Sequence, residues 1–270
     1  MQKLLFISDL HICAPGETII GLDPSARLSQ MLNAAVPAHT DAAALDMLGE
    51  LTHNGTAAEY RALQELLADV PMPIVYMTGN HDRRDAFLAQ FPDAPQIASG
   101  HVQQWRDFGD HRLITLDTLD GPPYPASHHK GWLCADRLAF LEEALESRAG
   151  RHAIVCMHHP PFETGVTGMD AIKLRNGPEL LRLLARHGNL HLICGHVHLT
   201  ISGNTGGVPW TIFKSPCHQG VVDLTSLNAH LSSDEAGAYG LALLRKGGVI
   251  LHSVDVGTGA RIFDGYRLEE

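Results

Sequence analysis

Aromatic side chains are scarce in this chain, at 6% of 270 residues, and cysteines never fall in a spacing that holds metal. The five cysteines, Cys13, Cys134, Cys156, Cys194 and Cys217, are odd in number and lack C-x-x-C pairs. Most lie in or beside apolar runs, so reduced thiols are expected rather than a disulfide framework. No apolar stretch approaches the ~20 residues that a membrane helix needs. The opening residues do not combine a charged n-region with a small-residue cleavage site. A cytoplasmic protein with no membrane partner is the expectation.

Basic charge is also short, with 20 Lys and Arg against 30 Asp and Glu, a net charge of −10. Nucleic-acid polymers are held through patches of Lys and Arg, and the adjacent basic pairs here are only Arg83-Arg84 and Arg245-Lys246. Both read as surface arginines, so a nucleic-acid polymer is not the expected partner. A small-molecule phosphate ester drawn by local positive charge remains compatible, and homo-oligomerisation is left open.

What is plentiful is histidine, 18 in all. Five polar segments carry chemistry: Asp9-Leu10-His11, Gly49-Glu50, Gly79-Asn80-His81-Asp82, His158-His159-Pro160-Pro161 and Gly195-His196-Val197-His198. Each follows a run that reads as a buried strand: Lys3–Ile7, Ala43–Leu48, Ile74–Met77, Ala153–Met157 and Leu190–Cys194. Open α/β sheets bind ligands at the carboxyl ends of their strands, so one site is implied. In Asp9-x-His11 and His196-x-His198 the side chains are two apart and fall on one side of an extended backbone. Asp, Glu, Asn and four His together suit Mn, Fe, Zn or Co better than Ca, and the absence of thiolate argues against a closed structural zinc site. So many histidines also pair by chance, and His128-His129 and His152 are read that way.

In that order the segments resemble the signature of the calcineurin-like metallophosphoesterase superfamily, D-x-H, G-D, G-N-H-D/E, H-x and G-H-x-H. The resemblance spans essentially the whole chain. It is nearest to the bacterial class III cyclic-nucleotide phosphodiesterase and glycerophosphodiesterase branch, on Ile7 through His11, Leu51 through Gly55 with Glu59-Tyr60, Met157 through Pro161, Cys194 through His198 and, more weakly, Ser215 through Gln219. The resemblance implies two divalent transition metal ions, one on Asp9, His11 and His198 and the other on Asn80, His158 and His196, with Glu50 at the bridging position. It implies that His81 stands beside the phosphate as general acid or donor, oriented by Asp82 or a backbone carbonyl. His158 rather than His159 is the implied ligand in H-H-P-P, with His159 behind it. The implied reaction is hydrolysis of small phosphodiesters, cyclic nucleotides or glycerophosphodiesters, by a hydroxide bridging the two metals. Phosphomonoester hydrolysis, or metal binding with weak turnover, are the alternatives.

Glu50 departs from the family pattern, which has Asp there, and its side chain is longer by roughly 1.5 Å. Three readings stay open: a natural variant that still bridges, an engineered substitution that weakens one site, or a member with poor activity.

The remaining pattern alternates strands with helices at about Pro24–Val36, Ala57–Asp69, Arg83–Gln90, Ala135–Ser147 and Pro178–His187. In the fourth, Leu138, Leu141 and Leu145 form a core stripe. From about residue 199 the pattern is β-rich: Ile201–Gly203, Val208–Phe213, Gly240–Leu244, Val249–Val254 and Arg261–Tyr266. This reads as a second sheet, giving an α/β fold in which a two-sheet β-sandwich is flanked by helices (αββα), one domain over residues 1–270. Gly121 through Trp132 and Phe162 through Asn176 are expected to be loops near the site. His218, Phe162, Met169 and Asn176 are the candidate pocket residues.

Overall fold

The computed structural model describes residues 2–125 and 129–259; His128 and the expected strand Arg261–Tyr266 lie outside them. In chain order, β1 (Lys3–Ile7), α1 (Pro24–Ala38), β2 (Ala44–Met47), α2 (Ala57–Leu67), β3 (Ile74–Tyr76) and α3 (Arg84–Gln90) come first. Next are β4 (Gln104–Phe108), β5 (His111–Leu116), α4 (Ala135–Glu146), β6 (His152–Met157), α5 (Thr167–Asp170), α6 (Gly177–His187) and β7 (Leu190–Cys194). The last are β8 (Ile201–Thr205), β9 (Val208–Ile212), β10 (Gln219–Gly220), β11 (Ser232–Ser233), β12 (Gly237–Arg245) and β13 (Gly248–Val256).

Two main sheets result, one ordered β13-β12-β1-β2-β3 and the other β4-β5-β6-β7-β9-β8. Apart from β10 and β11, which pair antiparallel as a short two-stranded ribbon, the β-rich tail does not form a sheet of its own. β8 and β9 extend the sheet of β6 and β7, while β12 lies antiparallel beside β1 and carries β13 at its edge. Period-2 patterning finds strands but cannot say which sheet they join.

Each strand residue has a face to fill, and three apolar layers fill them. Leu5, Ile7, Leu45 and Met47 meet Leu28, Met31, Tyr60, Leu63 and Phe87 from α1, α2 and α3. Val155, Met157, Leu192 and Cys194 meet Leu141, Leu145, Leu180 and Leu184 from α4 and α6. The alternate residues, Leu4, Phe6, Ala44, Leu48, Ile154, Cys156 and Ile193, close the seam between the sheets. Strands buried on both sides read as continuous apolar runs, which is why these segments stand out in the sequence. Helix starts were equally explicit. Asp23 caps α1 ahead of Pro24, and Thr56 with Glu59 forms a capping box on α2.

The hairpin β4–β5 was missed. Its first strand reads QWRDF and its second begins His111-Arg112, with no apolar run to mark the start. Arg112 is nevertheless buried, because Asp107 accepts its Nε at 2.6 Å and its Nη2 at 2.9 Å. Satisfied charge of this kind hides a strand from hydrophobic patterning.

Candidate metal centre

The loops after β1 and β2 run side by side across the carboxyl end of their sheet. Asp9 N donates to Gly49 O at 3.1 Å, His11 N to Glu50 O at 2.8 Å and Ile12 N to Leu51 O at 3.2 Å. The loops after β6 and β7 face them from the other sheet. The convergence does not come from extended backbone, as the two-residue spacing had suggested. Asp9, His11, Glu50, His196 and His198 all have left-handed φ, at 56°, 50°, 48°, 73° and 56°. Such conformations cost of order 1–3 kcal/mol each and gather at functional sites. Each strand end turns sharply so that its polar side chain points inward.

Close approach forces glycine at two places. A Cβ on Gly49, where φ is 94°, would lie 2.7 Å from His158 Nδ1. One on Gly79 would lie 2.5 Å from Glu50 N and 2.8 Å from Glu50 Cγ. The backbone and side chain of Glu50 thus occupy space that only a glycine neighbour leaves.

The Glu50 carboxylate sits at the centre. Its Oε2 is 2.7 Å from His11 Nε2 and 3.2 Å from His198 Nε2. Its Oε1 is 3.4 Å from His158 Nε2, 3.7 Å from His81 Nε2 and 3.9 Å from His196 Nδ1. Burial would raise this carboxyl, but His11, His81 and His158 outweigh burial and hold it well below the usual range. Asp9 goes the other way, pushed up to about 6 by burial, with Glu50 adding to the rise and His198 opposing it. Burial lowers His158 as well, yet Glu50 and Asp9 overcome it and lift the imidazole to about 9. His196, with weaker compensation for its burial, falls to about 4.

The outer nitrogens of several of these histidines are spoken for. His158 Nδ1 donates to Leu48 O at 2.9 Å and His198 Nδ1 to His218 O at 2.9 Å. A carbonyl can only accept, so in the neutral form of each ring Nε2 carries the lone pair, and it faces the centre. This is the arrangement expected of metal-ligating histidines. His159 differs, since Nδ1 meets Thr118 Oγ1 at 2.7 Å and Nε2 meets His129 O at 3.2 Å, leaving no lone pair to give. Among the described residues, Asp9 Oδ2 and both ring nitrogens of His196 are buried without a hydrogen-bond partner. Unpaired buried polar atoms cost roughly 1–3 kcal/mol each, and here they lie among clustered carboxylate and imidazole groups, with the Asn80 amide beside them. That donor set fits divalent transition metals.

Asn80 completes the group, with Oδ1 3.2 Å from His158 Nε2 and Nδ2 3.2 Å from His129 Nδ1. His129, read from the sequence as a chance neighbour of His128, thus reaches the site, whereas His152 bonds Asn189 at the far end of β6. His81 Nδ1 donates to His53 O at 2.7 Å, so a carbonyl, not Asp82, orients it. Asp82 is a buried hub instead, accepting from the backbone of Leu51, Thr52 and Gly79 and from the hydroxyls of Thr52 and Tyr60.

Above these side chains opens a cavity rimmed by His53, His81, His129 and His218, with Ile20, Val166, Met169, Ile172 and Leu231 as its apolar wall. Of the two stretches expected to be loops near the site, the first brings His129 to the cavity and the second forms the short helix α5 and brings Met169; His218 lines the cavity too. Phe162 does not. It is 4% exposed and stacks on Trp210 with ring centroids 4.0 Å apart, part of the core under α6. Asn176 is also elsewhere, pairing with the backbone N–H and carbonyl of Leu133. His53 and His129 went unnoticed as site residues because loop closure, not spacing, brings them in.

The chain is similar to known proteins along most of its length. It is 38% identical over 253 residues to a probable cyclic nucleotide phosphodiesterase of Rhodopseudomonas palustris, covering 93% of this chain and 91% of that one. It is 30% identical over 227 residues to a glycerophosphodiester phosphodiesterase of Enterobacter lignolyticus, covering 80% of each. In fold it is similar to a dimetal phosphatase from Danio rerio, with a TM-score of 0.68 at 14% identity over 94% of this chain and 96% of that one. Residues 2–199 match the calcineurin-like phosphoesterase pattern, and the chain belongs to that family.

Proposed function

We propose that this protein hydrolyses small phosphodiesters, cyclic nucleotides or glycerophosphodiesters, at a centre of two divalent transition metal ions. The observation that carries the reading is the Glu50 carboxylate set among five imidazoles from two sheets, beside the unpartnered Asp9 Oδ2 and His196 ring. Asp9, His11 and His198 would hold one ion, Asn80, His158 and His196 the other, and Glu50 would reach both groups. When bound, such ions (Mn, Fe, Zn or Co) acidify water and draw off charge from phosphoryl oxygens.

The chain's own residues supply the rest. Because His53 O holds the Nδ1 proton of His81, the Nε2 of His81 is the atom left to meet the substrate. Protonated there, it donates to the leaving alkoxide oxygen, help worth typically 10²–10⁴-fold. The carbonyls of Leu48 and His218 keep His158 and His198 in the tautomer that presents Nε2. The organic part of the ester packs on Met169, Ile172 and Val166, and no polymer groove is needed.

Metal-loaded protein incubated with bis(p-nitrophenyl) phosphate and p-nitrophenyl phosphate side by side is the test, followed by a cyclic nucleotide and a glycerophosphodiester. Faster diester turnover is expected. Preference for the monoester would make the protein a phosphomonoesterase, and no turnover of either would leave a metal-binding scaffold.

A further inference from the structure

The outer nitrogens of His158 and His198 are fixed by backbone carbonyls, but that of His11 is fixed by a side chain. His11 Nδ1 lies 3.3 Å from His53 Nδ1, while His11 Nε2 faces Glu50 at 2.7 Å. If Nε2 of His11 is the ligand atom, its ring proton sits on Nδ1 and must be donated outward. His53 Nδ1 is then the acceptor, and its own proton goes to Nε2. The same residue holds His81 twice, through its carbonyl at 2.7 Å and through its ring, stacked at 5.1 Å between centroids and 25° between planes.

We propose that His53 is a positioning residue that sets His11 and His81 together, its ring nitrogen fixing the tautomer of one and its ring face and carbonyl fixing the other. A carbonyl partner survives any substitution, whereas the partner of His11 does not, so His53 is where the histidine scaffold can be broken by a single outer change. The assignment of His11 as a ligand rests on the function proposed above; the hydrogen bond between the two rings does not.

The test uses His53→Phe, which keeps a ring to stack on His81 and removes the acceptor, and His53→Asn, whose amide oxygen falls near the place of Nδ1. Thermal unfolding first establishes that both are folded. Calorimetric titration with Mn²⁺ should show His53→Phe binding its tighter ion about 10-fold or more weakly, the scale for losing such a partner, and His53→Asn recovering most of that loss. Equal affinity in all three proteins, or an Asn variant as weak as the Phe variant, overturns the proposal. Ring-nitrogen NMR on Zn²⁺-loaded, histidine-labelled protein, in which Glu50 no longer takes a proton from His11 Nε2, gives an independent readout. His11 should carry its proton on Nδ1 and His53 on Nε2, with the hydrogen bond between the two Nδ1 atoms lost in His53→Phe. The reverse tautomers overturn the proposal even if metal binds. A wild type that takes up no metal sinks the function, and the pairing of the rings then stands if a hydrogen bond between the two Nδ1 atoms is seen that His53→Phe abolishes.

Discussion

The two sheets bring different chemistry to their shared edge. Loops of the β1–β3 sheet carry Asp9, His11, Glu50, Asn80 and His81, and so all of the site's carboxylate charge. Loops of the β6–β7 sheet carry His158, His196 and His198, imidazoles alone. Charge and lone pairs meet only because the sheets are packed face to face, and backbone contacts stitch the seam at this point. His196 N donates to Asp9 Oδ1 at 2.9 Å and Ser215 Oγ to Asp9 O at 2.6 Å. The centre is therefore a joint, and the two sides should fail differently.

Stripping the metal that the proposed function places between the two sides has the largest expected effect. Dialysis against a chelator should abolish diester hydrolysis, and Mn²⁺ or Co²⁺ should restore it. Full activity in stripped protein would contradict the whole arrangement.

Next in size is a change confined to the β1–β3 side that touches substrate and not metal. His81→Ala should lower kcat by about 10²-fold or more while metal content stays near that of the wild type. Loss of metal instead would make His81 a ligand, a role its 3.7 Å separation from Glu50 Oε1 leaves sterically within reach.

A smaller effect is expected at Glu50, which reaches across the joint. Asn80, His158 and His196 could hold an ion only as neutral ligands, so that ion depends on Glu50 for negative charge, yet its oxygens lie nearer His11 and His198 than His158 and His196. Glu50→Asp, the residue the family pattern carries, should tighten that ion a few-fold and lower the metal needed for half-maximal rate. Identical titrations, or weaker binding in the Asp form, would show Glu50 to be fully adapted.

How much of this was readable beforehand follows the same division. β1 and β7 have the bounds that their apolar runs gave, and the polar residues just beyond them are the ones that converge, because burial on both faces and a ligand at the strand end both leave marks in one dimension. What failed depends on three dimensions. Phe162 looked like a pocket residue because it follows His158-His159-Pro160-Pro161, but the chain turns it into Trp210. His129 looked like noise because its partner Asn80 is 49 positions away. Left-handed backbone at five inward-pointing residues, only one of them Asp or Asn, depends on the contacts between loops and not on local spacing.

The last expected effect lies in the seam itself, away from the site, and is read on stability rather than on activity. Asp46 of β2 faces Cys156 of β6 between the sheets, is 1% exposed, and has both carboxyl oxygens without a partner among the described residues. Burial raises it to about 8, with the Cys156 thiol opposing the rise. The folded protein then keeps this proton at a pH where the unfolded chain, with an ordinary carboxyl near 3.8, has lost it. Protons bound in the folded state exceed those in the unfolded state, so stability falls as pH rises from about 4 to about 8, by roughly 1 kcal/mol per pH unit from this group. Asp46→Asn cannot ionise and removes that slope. Denaturant unfolding of chelated wild type and variant across this range should find the variant gaining on the wild type as pH rises, with the gap levelling off above about 8. Parallel curves would mean that Asp46 is ionised in the folded seam and balanced by a contact the unpaired oxygens do not reveal. In that case the joint between the sheets would hold charge at its centre as well as at its edge.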